Sequence, residues 1–327
     1  RRERARWDLA DRTVLITGGS RGLGLLVARE LTREGARVAI TARDTGTLTR
    51  AREDLAGQGT TVLALPCDVT DREAVERLVR EITQRLGPID AVVNNAGTIT
   101  VGPVDEMSVE DYEAALATNF WGPLYTIMAV LPAMRVRRAG RIVNVTSIGG
   151  RLSVPHLLPY SVSKFALVGL SEGLRAELAG EGIEISTICP GLMRTGSPRH
   201  AWFKGQHRAE YAWFSVADSL PLVSMSAERA ARQIVDALRF GDADRVLSLP
   251  ARVGATMHGV FPGLTAELLG LVNRLLPGSR GPGRQSPVGA GAVKGEASTS
   301  SVSPSVLTTL GDRAAERNNQ IAFGQTP

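Results

Sequence analysis

Short β-branched runs alternate with longer amphipathic ones from Thr13 to about Leu249, and this alternation leaves few folds open to the chain. Val14-Leu15-Ile16, Val38-Ala39-Ile40, Val62 to Leu65, Ala91-Val92-Val93, Ile142 to Val145, Ile183 to Ile188 and Arg245 to Leu249 read as seven strands. Most are apolar without period-two alternation, as expected when both faces of a parallel sheet are covered. Between them lie helical patterns: Leu23-Val27-Leu31 closed by Gly35, Thr47 to Ala56 ending at Gly57, Asp71 to Leu86 ending at Gly87-Pro88, and Ser108 to Arg138. Those stops are glycine and proline signals. The pattern predicts an α/β fold: a doubly wound parallel sheet of about seven strands with helices on both faces.

Thr17-Gly18-Gly19-Ser20-Arg21-Gly22-Leu23-Gly24 follows the first strand and opens the first helix. Glycines let a backbone turn tightly and approach a pyrophosphate, whose charge is met by the amides of a helix N-terminus. Strand before and helix after is the context that makes such a loop a dinucleotide site. The end of the second strand reports which dinucleotide. An acid there would bind ribose hydroxyls and repel a 2′-phosphate. Instead it reads Thr41-Ala42-Arg43, and Arg21 in the loop reaches toward the same place. Guanidinium groups suit phosphate, so NADP(H) is favoured over NAD(H).

Ligands of open α/β sheets bind beyond the carboxyl ends of the strands. Asp68-Val69, Asn94-Asn95-Ala96-Gly97, Ser147, and Pro190-Gly191 with Thr195 follow strands three to six at that rim. Tyr160 and Lys164 are four residues apart at the start of a helical run, which puts phenol and ammonium on one face. A cation beside a phenol favours phenolate and lowers its pKa from about 10. Such a tyrosine can exchange a proton with a carbonyl or alcohol oxygen.

Taken together these residues resemble the short-chain dehydrogenase/reductase family in its single-domain form, with a Rossmann-type sheet, over about Asp11 to Leu249. The resemblance implies Tyr160 as acid/base, Ser147 bound to the substrate oxygen, and Lys164 lowering the tyrosine pKa and holding the nicotinamide ribose. It implies Asn119 as a fourth catalytic position supporting a water-linked proton relay, and Thr195 on the nicotinamide carboxamide. The cofactor set is then Gly18, Ser20, Arg21, Gly22, Leu23, Gly24, Arg43, Asp68, Val69, Asn95, Ala96, Gly97, Tyr160, Lys164, Pro190, Gly191 and Thr195. The expected reaction is hydride transfer between NADP(H) and a carbonyl or alcohol. A 3-oxoacyl-thioester reductase of the same family and a cofactor-binding regulator without turnover are the alternatives. Family members assemble as homodimers or homotetramers through helices matching 112–138 and 160–178.

The segment 194–225 carries Trp202, Phe203, Tyr211, Trp213 and Phe214, five of fifteen aromatics, where a substrate lid belongs. With His156 and Leu157 just before Tyr160, it suggests a bulky or apolar substrate touching Ser147, His156, Leu157, Trp202 and Phe203. The alternative is that these aromatics pack the lid onto the sheet. The net charge of +5 is spread among acids, without the basic stripe and interleaved aromatics of a nucleic-acid surface. Cys67 and Cys189 have no paired spacing and the histidines no ligand context, so no metal site is expected. No secretory core follows the N-terminus and no run reaches about 18 uninterrupted apolar residues, so a cytoplasmic protein is expected. The domain reading is a flexible arm over 1–10, the enzyme domain over 11–250, an amphipathic helical extension over 251–278 and a disordered tail over 279–327. Leu264, Leu268, Leu271 and Leu275 give the extension an apolar stripe, which packs on the domain or another subunit, is marginally ordered, or touches a membrane surface through 255–277.

Overall fold

The computed structural model describes residues 6–57, 61–221, 223–279, 291–300, 303, 305 and 308–321. The first half runs β1 (Thr13–Thr17), α1 (Gly22–Arg33), β2 (Arg37–Ala42), α2 (Thr45–Ala56), β3 (Val62–Pro66), α3 (Arg72–Leu86) and β4 (Ala91–Asn94). Then come a two-residue β5 (Thr100–Val101), α4 (Val109–Leu116), α5 (Gly122–Arg137), β6 (Gly140–Val145), α6 (Leu158–Leu178) and β7 (Ile183–Cys189). Beyond it lie β8 (Met193–Arg194), β9 (Trp202–Phe203), α7 (His207–Ser219), β10 (Met225–Ser226), α8 (Ala227–Phe240) and β11 (Asp244–Val246). The C-terminal part holds α9 (Leu249–Val260), α10 (Pro262–Asn273), β12 (Val293–Lys294) and α11 (Thr309–Arg317).

The seven-stranded sheet has the order β3-β2-β1-β4-β6-β7-β11, and every pair in it is parallel. The order reverses between β1 and β4, which opens a crevice at the carboxyl ends of those strands. Successive side chains along β1 face opposite ways. Val14 and Ile16 join one core with α1 and α8, while Leu15 joins the other with α3, α5 and α6. The central strands β1 and β4 are thus buried on both faces, while the edge strands β3 and β11 are only partly covered. Asp44 and Asp71 cap α2 and α3, accepting from Thr47 N at 2.7 Å and Ala74 N at 3.0 Å.

Three elements depart from the sequence reading. The long helical run of 108–138 contains a π-helical turn at Ala117–Trp121, which joins α4 to α5 and re-aims Asn119. By length and apolar content alone Val109–Arg137 would cross a membrane, but α5 packs on α3, and α4 on α6, within the domain. The last strand of the sheet is only Asp244–Val246, because Ser248 caps α9 through Ala251 N. The amphipathic extension is two helices, α9 and α10, broken at Phe261-Pro262. Val260, Phe261, Leu264, Leu268 and Leu271 are exposed on it.

The tail read as disordered is built into the domain wherever it is described. β12 pairs antiparallel with β9, which pairs in turn with β5. α11 lies on α7 and buries Ala314 and Ala315. Its composition is poor in large apolar groups, but small residues let it sit close on a surface that is already folded. The expectation for 280–290 and 322–327 lies outside the described residues, as does that for 1–5.

Candidate active site

The glycine loop meets three geometric demands of an anion cradle. Gly18 and Gly22 have φ of +65° and +55°, where a side chain is strained. A Cβ on Gly24 would lie 2.2 Å from Gly18 O, so only glycine lets the helix start this close to the loop. α1 has no side-chain cap and no acid in its first turn, unlike α2 and α3 with their aspartate caps. Apart from Gly22 N, which donates to Asn318 O, its first-turn amides carry no side-chain cap and can face a phosphate. Asn95 braces the loop, with Nδ2 donating to Thr17 O at 3.1 Å and Gly18 O at 3.2 Å. Thr17 Oγ1 in turn accepts from the amides of Asn95 and Ala96. The residues fit a dinucleotide.

Arg21 and Arg43 converge at the end of β2. Burial first, and the neighbouring Arg43 charge second, hold the Arg21 guanidinium below its ordinary pKa. Arg43 is exposed, with an ion pair to Asp68 Oδ2 at 4.0 Å. Asp68 Oδ1 is engaged by Thr70 N and Oγ1. Val69 is buried, and a Cβ on Gly122 would meet its Cγ2 at 2.9 Å. At the far end of the crevice Pro190 O accepts from Ile148 N, and Gly191 lies against Ser248. Thr195 is buried, its Oγ1 accepting from Ser197 N.

Between these ends stand the four polar residues singled out in the sequence. Lys164 is 4% exposed, its Nζ 5.7 Å from the centre of the Tyr160 ring and donating to Val145 O at 3.0 Å. Ser147 lies two residues beyond β6, where its Oγ accepts from Gly149 N and hydrogen-bonds the Tyr160 hydroxyl. Asn119 is fully buried on the π turn. Its carboxamide pairs with both backbone groups of Thr98, at 2.9 and 3.0 Å, and donates to Ser163 Oγ at 2.9 Å. A Cβ on Gly97 would lie 3.1 Å from Asn119 Oδ1 and 3.8 Å from Lys164 Nζ, so the Asn-Ala-Gly turn is the floor joining the two.

Burial dominates the electrostatics. It pushes the Tyr160 hydroxyl up to about 12, against the lowering effect of the Ser147 hydrogen bond. It also brings Lys164 down to about 8. The net shift of the Tyr160 hydroxyl is upward, because the desolvation that weakens the lysine as a cation also disfavours the phenolate.

Three of the five expected substrate residues turn inward. Phe203 is fully buried and, with Leu157, Tyr211 and Phe214, forms a small core under the lid. His156 is buried, its Nδ1 2.8 Å from Glu210 Oε1, while Glu210 Oε2 accepts from Trp213 Nε1. These residues fasten the lid, because a segment lying over a cleft needs its own apolar core to stay put. Trp202 is partly exposed, with Lys294 over its ring at 5.6 Å. Ser147 remains at the cleft. Sequence reasoning missed Asn318, Asn319 and Gln320, which reach the glycine loop from the tail. The amphipathic repeat Leu310-Ala314-Arg317 ahead of them was the available signal.

The lid also holds a titrating group. Burial raises Asp218 to about 7, its Oδ1 accepting from Met193 N at 3.0 Å. With the folded pKa above the unfolded one, the folded state binds more protons between about 3.8 and 7, so stability falls as pH rises through that window. Asp218→Asn keeps the acceptor and cannot ionise. It should raise Tm by ~3–6 °C at pH 8 and hardly at all at pH 4, as scanning calorimetry at the two values would show.

The profile of the family described as short chain dehydrogenase matches residues 12–202. The chain is 36% identical over 185 residues to the ketoacyl reductase HetN of a Nostoc species, covering 57% of this chain and 64% of that one. Among solved structures, a short-chain dehydrogenase from Streptomyces avermitilis superposes with a TM-score of 0.69 at 30% identity, over 81% of this chain and 97% of that one. A gluconate 5-dehydrogenase from Burkholderia cenocepacia, in complex with NADP and tartrate, gives 0.67 at 26% identity, over 76% and 98%. The chain belongs to the short-chain dehydrogenase family: it is an oxidoreductase that uses a nicotinamide cofactor on a small-molecule substrate.

Proposed function

We propose that the protein is an NADPH-dependent carbonyl reductase acting on a bulky or apolar ketone or aldehyde. The observation that carries the reaction class is the grouping of Ser147, Tyr160 and Lys164 beside the glycine loop's crevice, with Lys164 Nζ 5.7 Å from the centre of the Tyr160 ring and Ser147 bonded to its hydroxyl. Burial favours the neutral phenol, the form that donates a proton to a carbonyl oxygen. Ser147, hydrogen-bonded to the same hydroxyl, holds the substrate oxygen beside it. Lys164, cationic below about pH 8, stabilises the charge that Tyr160 acquires as its proton leaves. Asn119 and Ser163 anchor the far side of α6, so that Tyr160 and Lys164 keep their mutual geometry. Bound NADPH supplies the hydride to the carbonyl carbon. Gly18, Ser20 to Gly24, Asn95 to Gly97, Pro190, Gly191 and Thr195 would hold it.

Two arginines at the end of β2 support NADP(H) over NAD(H). Arg21 and Arg43 repel one another, and a 2′-phosphate between them relieves that repulsion. Asp44, the nearest acid in sequence, is committed as the cap of α2. Arg43→Asp should raise KM for NADPH by about tenfold or more while leaving KM for NADH little changed or lower. Unchanged selectivity in steady-state assays with both cofactors would remove the phosphate assignment.

A cleft of about 330 Å³ opens beside the loop that precedes Tyr160, lined by Val104, Val154, Leu158 and Leu276 together with Asp105, His156 and Asn273. The apolar reading of the substrate rests on the lid segment, whose Trp202 is exposed. HetN is named a ketoacyl reductase, which favours 3-oxoacyl thioesters as the second reading. NADPH oxidation measured over ketones, aldehydes and 3-oxoacyl thioesters separates the two. Binding of cofactor with turnover of none would point to a regulator.

The exposed Trp121, Met128 and Val136 of the π turn and α5, with Val162 and Phe165 of α6, support a homodimer or homotetramer through these helices. Phe261, Leu264 and Leu268 are the residues for a membrane-surface contact. Replacing all three by glutamate should abolish any co-flotation of the full chain with anionic liposomes.

A further inference from the structure

Glycine loop, α2 and lid are far apart in sequence, and one C-terminal segment binds all three. Gly22 N donates to Asn318 O at 2.8 Å. Asn319, at φ +55°, donates from Nδ2 to Ser20 O at 2.7 Å and Thr47 O at 3.0 Å, while its Oδ1 accepts from Arg50 Nε at 3.0 Å. Gln320 O accepts from His200 Nε2 at 3.0 Å, and a Cβ on Gly22 would lie 2.5 Å from Gln320 Nε2. α11 anchors the segment: Ala315 lies against Gly196, Arg199 meets Asp312 at 3.7 Å, and Arg29 donates to Arg317 O.

A second observation is independent of these bonds. Both polar atoms of the Asn318 carboxamide and Gln320 Oε1 are buried and have no hydrogen-bond partner among the described residues. Leaving such atoms unpaired costs about 1–3 kcal/mol each, so folded proteins seldom do so away from a ligand. These three atoms lie on the segment that lines the dinucleotide loop.

We propose that Asn318-Asn319-Gln320 is a strap that completes the dinucleotide site. Asn319 is a positioning residue that ties Ser20 to the start of α2. The carboxamides of Asn318 and Gln320 take their missing partners from the polar groups of the bound dinucleotide. Asn319 meets the loop through the carbonyl of Ser20, which a phosphate does not use, whereas Asn318 O takes the Gly22 amide and leaves the phosphate to the other loop donors. The strap fixes in advance the three segments along which an extended dinucleotide would lie, so less ordering remains to be done on binding. The inference rests on the cofactor reading above.

The test uses the full chain with Asn318→Leu, Asn319→Ala and Asn319→Asp, titrated with NADPH and with NADH by cofactor fluorescence. Asn319→Ala should weaken NADPH about tenfold, raising its KM while kcat changes far less. Asn319→Asp should do at least as much, because a carboxylate facing the Ser20 and Thr47 carbonyls repels them. Asn318→Leu is the discriminating variant. It removes two unpaired buried atoms, so without cofactor its Tm should hold or rise, while NADPH affinity falls. Unchanged affinity in all three variants overturns the strap. Tighter binding also overturns it, and means the segment competes with the cofactor. A parent chain that binds neither dinucleotide would instead refute the cofactor reading itself.

Discussion

Tyr160→Phe should lower the rate of carbonyl reduction by about 10³-fold or more while leaving the Kd for NADPH within about twofold of the parent. The substitution removes one oxygen from a half-buried ring and leaves the packing of that ring intact. The ring is 5.7 Å from Lys164 Nζ, and the lysine keeps its bond to Val145 O, so the ribose side of the crevice should be unchanged. The lost atom is the hydroxyl that hydrogen-bonds Ser147 and is proposed to donate the proton. Stopped-flow single turnovers at saturating NADPH, with fluorescence titration of the cofactor, would separate the two effects. A variant that still turns over at a tenth of the parental rate would remove Tyr160 from the proton transfer. In the parent, reduction should be flat from pH 6 to about 7.5 and decline above about 8. Lys164 loses its proton there, long before a phenol at about 12 does.

Much of this site was legible because its residues occupy places the backbone dictates. Gly18, Gly22 and Gly24 are fixed by positive φ and close approach, and the alternation of apolar runs put Ser147, Asn95 and Thr195 at one rim. The sign of the tyrosine shift was not legible. It depends on how deeply Tyr160 and Lys164 are desolvated, and spacing along a helix carries no information on depth. The lid aromatics were ambiguous for a similar reason: Phe203 and Tyr211 pack on each other at 5.4 Å, which composition cannot distinguish from packing on a ligand. The strap was missed because disorder was read from composition over the whole tail. One carboxamide and one backbone carbonyl bonded to a loop nearly 300 residues earlier are not signalled by composition.

Lys164→Met should lower turnover by about 10²–10³-fold and at the same time raise thermal stability at neutral pH. The two effects have one cause. Lys164 is held below its ordinary pKa by burial, so the folded state is penalised for carrying the charge. Between about 8 and 10.5 the unfolded chain binds more protons than the folded one, and parental stability therefore rises with pH across that window. The penalty is complete below pH 8. Methionine fills similar space without a charge, at the cost of leaving Val145 O without its donor. The Tm advantage of the variant should be ~3–6 °C at pH 7 and should shrink steadily toward pH 10. Tyr160 titrates at higher pH and is present in both chains, so it cancels in the difference. An advantage independent of pH would mean that methionine merely packs better, and the lysine would not be under electrostatic strain. A variant both less stable and less active at pH 7 would show that the Val145 bond outweighs desolvation. The combination expected here, more stable and inactive, is what a buried cation retained for chemistry should give.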